Sequence, residues 1–292
     1  MATGAGHEPA TSGFGVRSVE LVDPSRPTNE SIPRRHLPTD LYLPEGPGPF
    51  PLVVHAHGWD GASWKFSRLL GTWASAGYAV AAPNFPRTNA ATPEELRDLG
   101  DYLNQPADVT FVLDSVLAMS ARGGELEGLL DPDRIGLSGL SLGGATAYPL
   151  LFNHRHRDPR YRCGLLMSAL ELPYHDDPYD FSRRIPMLTF AGTADASVPY
   201  ELQQDTIAKL GGPAWNVTLP GGEHATPYED PPSAHDPVVA AGTTAFWDLT
   251  LRDDSGAAER LLEALNVEGL SFVDVSDPQN HPQNHPRPHP SN

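Results

Sequence analysis

Apolar and polar residues alternate over residues 15–23 and 36–44, and proline bounds each stretch. That pattern predicts two half-exposed strands of an antiparallel edge. Residues 51–58 (PLVVHAHG) differ, being almost continuously apolar and ending in glycine, as expected of a strand buried on both faces of a parallel sheet. Residues 63–75 predict a helix whose apolar face is Trp64, Phe66, Leu69, Leu70 and Trp73, and residues 78–83 (YAVAAP) predict a second buried strand. After a polar excursion over 84–105, Val109, Val112, Leu113, Val116 and Leu117 recur at i, i+3, i+4, i+7 and i+8, the stripe of a core-facing helix.

The same alternation continues to the last third of the chain. Residues 135–139 predict a short strand and the segment from Ser141 to about Phe152 a helix. Strands follow over 163–170, 185–191 and 215–219, with helices over 201–210 and 238–251. Strands alternating with helices specify an α/β fold, a mostly parallel central sheet with right-handed crossovers and helices on both faces. Only about fourteen residues lie between the strands at 163–170 and 185–191, too few for a large cap domain. The predicted organisation is a flexible N-terminus over 1–14, one α/β domain over 15–276, and a Pro-, His- and Asn-rich tail over 277–292. His281, His285 and His289 each precede a proline there. A histidine-rich tail is a conceivable metal binder, but proline stiffens it and nothing apolar anchors it, so it is read as disordered and no metal is assigned.

Composition narrows the function classes. The chain has 292 residues, 37 acidic and 20 basic side chains and a formal charge of −17. Nucleic-acid binding needs a cationic face, and an anionic membrane would repel this charge. The single cysteine, Cys163, excludes an intrachain disulfide and a cysteine-rich zinc site, so a hydrophobic core must hold the fold. The 27 glycines and 31 prolines imply many turns. Every apolar run is broken well before the length of a membrane span. Residues 1–18 show no basic segment followed by an apolar one, so the expected location is cytoplasmic, or secreted if the sequence is that of a mature form.

The sharpest chemical signal is Gly139-Leu140-Ser141-Leu142-Gly143, where the coarse reading ends a strand and begins a helix. A serine on such a turn needs small neighbours, because a Cβ two residues away would strike the adjoining strand or helix. The turn lifts the hydroxyl to a helix N-terminus, where backbone amides favour developing negative charge. The competing reading is a glycine-rich turn with an incidental serine. A serine hydroxyl needs a base and an acid to activate it, in the order Ser, Asp, His for this turn. Asp195 lies in the loop after the strand at 185–191, and its alternative use is an Asx turn. His224 follows the strand at 215–219 in a glycine-rich loop, with His235 as the substitute base. The oxyanion donors are then the amide of Leu142 and, in the His57-Gly58-Trp59 turn, that of Trp59. His55 and His57 share the i, i+2 spacing of a metal pair but lack a nearby carboxylate, and they are read as packing or hydrogen bonding under the oxyanion loop.

These residues resemble the α/β-hydrolases, in particular the dienelactone-hydrolase-like group that includes bacterial proteins similar to platelet-activating-factor acetylhydrolases and cutinase-like polyester hydrolases. The similarity runs from about Val16 to Leu265 and rests on the HGW turn, AGYAVAAP at 76–83, DRIGLSG at 133–139, GLSLGG at 139–144 and GTADASVP at 192–199. It implies the α/β-hydrolase fold, a Ser141, Asp195, His224 triad, carboxylic-ester hydrolysis without metal or organic cofactor, and a small or polymeric ester as the partner. Dienelactone hydrolases proper carry cysteine where this chain has Ser141, and lipases often carry histidine where it has Leu140. Secreted polyester hydrolases of this type add a signal and a disulfide, neither of which the sequence contains.

The loop over 171–182 carries Tyr174, Tyr179 and Phe181. Trp59 and Tyr174 are the candidate substrate contacts in a shallow, open cleft, the alternative being that the loop aromatics pin it to the sheet. The same triad also serves thioesterases, lactonases and peptidases, and the fold also occurs as a ligand-binding module without turnover.

Overall fold

In the computed structural model, which describes residues 13–276 except residue 176, the chain opens with β1 (Phe14–Asp23) and β2 (Arg35–Pro44), antiparallel from Phe14 opposite Pro44 to Asp23 opposite Arg35. The outer strand β1 is exposed along most of its length. In β2 the alternation holds to Leu41, after which Tyr42 is buried as well. The reason is cover on two sides: Leu41 joins the core of one sheet face and Tyr42 that of the other.

The centre of the sheet is parallel: β3 (Phe50–Ala56), β4 (Ala79–Pro83), β5 (Leu130–Leu140), β6 (Tyr161–Met167), β7 (Met187–Gly192) and β8 (Ala214–Leu219). A last strand, β9 (Phe272–Ser276), adds antiparallel to β8, completing the order β1-β2-β4-β3-β5-β6-β7-β8-β9. Leu52, Val53 and Val54 in β3 are all buried, since neighbouring residues point to opposite faces and helices cover both. One face carries α1 (Ser67–Ser75), α5 (Asp236–Leu251) and α6 (Ala257–Leu265), whose Leu70, Trp73, Phe246, Trp247 and Leu261 pack together. The other carries α2 (Gln105–Ser120) and α3 (Leu142–Phe152), with Val109, Val112, Leu113 and Val116 as the stripe read from the sequence. A short helix, α4 (Tyr200–Ile207), follows β7. Residues 168–186 cross from β6 to β7 without a helix or strand among the described residues, so no cap domain covers the sheet edge. No helix among the described residues is long and apolar enough to cross a membrane.

Three local expectations need correction. The segment 63–75 is a tight 3₁₀ turn at Ser63–Phe66 followed by α1. The tighter turn changes the angular phase, and Trp64, expected on the apolar face, stands half-exposed while Phe66 is buried. The strand read as 163–170 stops at Met167 because Ser168 takes φ 42° and turns the chain. Finally, α6 and β9 have no counterpart among the elements that the sequence pattern predicts. The Ala257, Leu261, Leu265 stripe of α6 is short, and β9 is an edge strand held by main-chain bonds with little buried side-chain surface. The predicted tail at 277–292 and all but the last two residues of the predicted flexible N-terminus lie outside the described residues; Phe14 already belongs to β1.

Arg35 is a buried cation in β2. Its guanidinium donates to Asp101 at 2.9 and 2.6 Å and to Asp108 at 3.0, 3.1 and 2.6 Å. Asp101 lies in a 3₁₀ turn at Leu99–Leu103 and Asp108 in the first turn of α2. The pair therefore ties the excursion between β4 and α2 to the second strand. Burial raises the Asp108 carboxyl, against the lowering effects of its bonds to Arg35 and of Arg26, whose guanidinium lies 2.8 Å from it. Replacing Arg35 by Met would leave buried Asp101 without a cationic partner among the described residues and Asp108 with Arg26 alone, and urea denaturation is expected to show a loss of about 3–5 kcal/mol.

Candidate active site

Ser141 alone joins β5 to α3, with φ 54° and ψ −114°. A non-glycine residue there is strained, and such strain persists only where the surroundings over-determine it. The surroundings are close main chain. A Cβ at Gly139 would strike the backbone of Gly143, one at Gly143 the carbonyls of Ala56 and His57, and one at Gly144 the Cβ of Ala169. The serine amide donates to Met167 O at 3.0 Å, and Ser141 O accepts from Leu170 N at 3.2 Å. The turn is thereby fixed at the carboxyl edge of the sheet, beside the end of β6. Ligand-facing residues of a parallel sheet collect at this edge.

Two strands along, the loop after β7 presents Asp195. Its side chain is fully buried and saturated with donors: Oδ1 accepts from the amides of Ser197 at 2.9 Å and Val198 at 2.8 Å, and Oδ2 from His224 Nδ1 at 2.8 Å and Gln203 Nε2 at 3.1 Å. A carboxylate only accepts, so His224 carries a proton on Nδ1 and its Nε2 is the ring nitrogen not bonded to the acid. The loops bearing the pair lie back to back. Ala194 N donates to Gly222 O at 2.9 Å, Gly221 N to Thr193 Oγ1 at 2.8 Å, and Gly221 takes φ 69°. Among the described residues no hydrogen bond joins His224 to Ser141. Such bonds are commonly long in a free enzyme and close when substrate binds.

His235, the substitute base, is occupied elsewhere. It stands just before α5 and its Nε2 donates to Pro220 O at 3.2 Å, so it supports the His224 loop without meeting the acid. Gln203 was missed in the sequence. It sits on α4, buried, and its amide also donates to Val198 O at 2.7 Å, locking the carboxylate orientation. No local signal marks it, since a glutamine eight positions after an aspartate is unremarkable until the helix folds back.

The turn after β3 abuts the serine: a Cβ at Gly58 would lie 3.1 Å from Ser141 Cβ and from Leu140 O. The amides of Trp59 and Leu142, the expected oxyanion donors, make no hydrogen bond among the described residues. The Trp59 side chain is 43% exposed. Beneath it, burial pushes His55 down to about 3 and His57 down to about 4. His55 meets Ser138 Oγ at 3.1 Å and the rings of Phe66 and Trp73. No group of three or more His, Cys, Asp or Glu able to hold a metal occurs among the described residues.

Tyr174 is buried, its ring 4.9 Å from that of His156 and 4.5 Å from that of His175. Tyr179 donates to Leu172 O at 2.7 Å and Tyr102 to Pro173 O at 2.6 Å. The aromatics of this loop thus secure it. One edge of Tyr174 still lines a cleft of about 1000 Å³ shared with Glu171, Tyr179, Phe181, Leu202 and Lys209. Cys163 is fully buried, accepts from Thr250 Oγ1 at 3.1 Å, and its thiol is pushed up to about 12 by burial.

A family model described as Chlorophyllase matches residues 14–170, just over half of the chain. The matched stretch runs from β1 to just beyond β6 and contains Trp59, Ser141 and Leu142, while Asp195 and His224 follow it. No curated protein matches.

Two measurements check this description. Cys163 is expected to resist iodoacetamide in native protein and to react once urea unfolds it, because only the exposed thiolate is nucleophilic. His55 and His57 are neutral when folded, with values of about 3 and about 4 against 6.5 for a free histidine. Below about 6.5 the unfolded chain takes up protons that the folded chain refuses, so unfolding free energy is expected to fall as pH drops from 6.5 toward 4. Urea titrations across that range measure it.

Proposed function

The chain belongs to the Chlorophyllase family, within the α/β-hydrolase superfamily, and from that premise we propose that it is a serine hydrolase cleaving carboxylic esters through an acyl-enzyme. The observation that carries the reading is the buried Asp195 bonded at 2.8 Å to His224 Nδ1, at the same sheet edge that holds Ser141 on a strained turn. In this mechanism Ser141 Oγ attacks the ester carbonyl and His224 Nε2 takes its proton. Asp195 stabilises the imidazolium, while the amides of Leu142 and Trp59 hold the oxyanion of the tetrahedral intermediate. Collapse breaks the C–O bond and expels the alcohol, which receives the proton from His224. Water, deprotonated by the same imidazole, then attacks the acyl-serine, and the carboxylic acid leaves with Ser141 restored.

The substrate reading follows from the open edge and the charge. With no cap over the sheet edge among the described residues, short-chain, aryl and bulky esters reach the serine, polyesters and chlorophyll among them. A net charge of −17 disfavours polyanionic esters. The motifs shared with platelet-activating-factor acetylhydrolase-like and cutinase-like proteins support placing the chain near them, with serine in place of the dienelactone-hydrolase cysteine.

The test uses p-nitrophenyl esters of increasing acyl length beside a fluorophosphonate probe. Wild-type protein is expected to turn over short esters and to take the label on Ser141. Ser141→Ala is expected to lose the label and about 10⁴-fold or more of kcat. Undiminished turnover in that variant would sink the nucleophile assignment. A wild type that hydrolyses only thioesters, lactones or amides would move the substrate class and keep the triad.

A further inference from the structure

The ester-hydrolase mechanism gives no task to His57, one of two buried histidines at the β3 turn. His57 is 1% exposed, at the end of β3, and both of its ring nitrogens are engaged. Nε2 lies 3.0 Å from the amide nitrogen of Phe85, and Nδ1 lies 2.7 Å from Gly58 O. An amide can only donate, so Nε2 is bare and the ring proton sits on Nδ1, directed at the Gly58 carbonyl. We propose that His57 is a positioning residue that aims the Trp59 amide at the oxyanion, a role that rests on the acyl-enzyme reading above.

A single planar peptide unit links the His57 ring to the oxyanion donor. In a trans peptide the carbonyl and the following N–H lie in one plane and point in opposite directions. Gly58 O and Trp59 N–H belong to the same unit. Gly58 O is clamped by two donors, His57 Nδ1 and Gly61 N, the latter at 3.0 Å. Fixing the oxygen fixes the N–H on the other side of the plane. That N–H makes no hydrogen bond among the described residues, and its loop passes so near Ser141 that a Cβ added at Gly58 would lie 3.1 Å from the serine Cβ. Through Phe85, beyond the end of β4, the same ring anchors the turn to the neighbouring strand. Rings of His57 and Phe85 lie 4.9 Å apart.

Neutrality is part of the device. Protonated His57 would set an Nε2–H against the Phe85 N–H, two donors face to face. Burial, together with Lys65 nearby, holds the ring near 4, which outweighs the raising effect of its bond to Gly58. The ring therefore stays neutral, in its Nδ1–H tautomer, at neutral pH. Oxyanion donors are effective because they are aimed in advance. A loosened peptide plane costs turnover while leaving ground-state binding nearly intact.

Two variants separate aim from packing. In His57→Asn the shorter amide nitrogen falls near the place of Nδ1 and keeps the Gly58 donor while losing the Phe85 acceptor. In His57→Gln the longer amide oxygen reaches the place of Nε2 and keeps the Phe85 acceptor while losing the Gly58 donor. With kcat taken per fluorophosphonate-titrated site, His57→Gln is expected to lose about tenfold or more in kcat with KM within about twofold, and His57→Asn to stay within about threefold of wild type. A purely structural role predicts lowered melting temperatures in both and no difference in kcat per site. Equal kcat in the two variants, or a His57→Gln value matching wild type, overturns the proposal and leaves the esterase reading standing. A wild type that neither turns over nor takes the label overturns both. Nitrogen-15 NMR of the wild-type imidazoles supplies a measurement independent of the variants' folding: a neutral ring protonated at Nδ1 is expected at pH 7, and an Nε2–H tautomer or an imidazolium overturns the proposal.

Discussion

Everything chemical in this protein depends on a turn with room for a single residue. Strand β5 ends at Leu140 and helix α3 begins at Leu142, so Ser141 must reverse the chain alone, at φ 54°. The turn closes only because Gly139 and Gly143 bring main chain against main chain. The same contact docks the start of α3 on the carbonyls of Ala56 and His57, at the end of β3. One steric constraint thus holds Ser141 out of the sheet, sets the α3 amides beneath it and brings the β3 turn alongside.

The Asp195–His224 half of the site obeys a different requirement, satisfaction of a buried charge. Asp195 is taken out of water and surrounded by four donors, two main-chain amides, Gln203 and His224. A carboxylate so enclosed cannot rotate away from the imidazole without abandoning several bonds. The same logic recurs at Arg35, where a buried cation faces two acids and ties β2 to α2. In both places the cost of an unpaired buried charge converts a side-chain choice into a fixed geometry.

Much of the fold was legible because local pattern and tertiary role coincide. The continuous apolar run at 51–58 reads as a doubly covered strand and is one, and the Val109 to Val116 stripe faces the core. Where the pattern fails, the cause is local. A 3₁₀ turn rotates Trp64 outward, positive φ at Ser168 ends β6 early, and an edge strand such as β9 needs no alternation because its main-chain bonds hold it. In the site, Ser141, Asp195 and His224 announce themselves by glycine-rich turns after predicted strands. Gln203 and the buried Arg35 pair carry no such sign, since their partners lie on elements brought near only by folding.

By itself the sequence determined the alternation of strands and helices, the single-serine turn with its small neighbours, and an acidic chain of 37 carboxylates against 20 basic side chains. These follow from residue size, period and charge, which act over a few positions. Tertiary structure decided which histidine meets the acid, because His224 and His235 both follow the last parallel strand and only the packing of two glycine loops brings one of them to Asp195. It also decided that Tyr174 is enclosed by histidine rings and that the proton of His57 points at Gly58. Burial and the direction of each hydrogen bond are set by groups distant in sequence, and no local pattern encodes them.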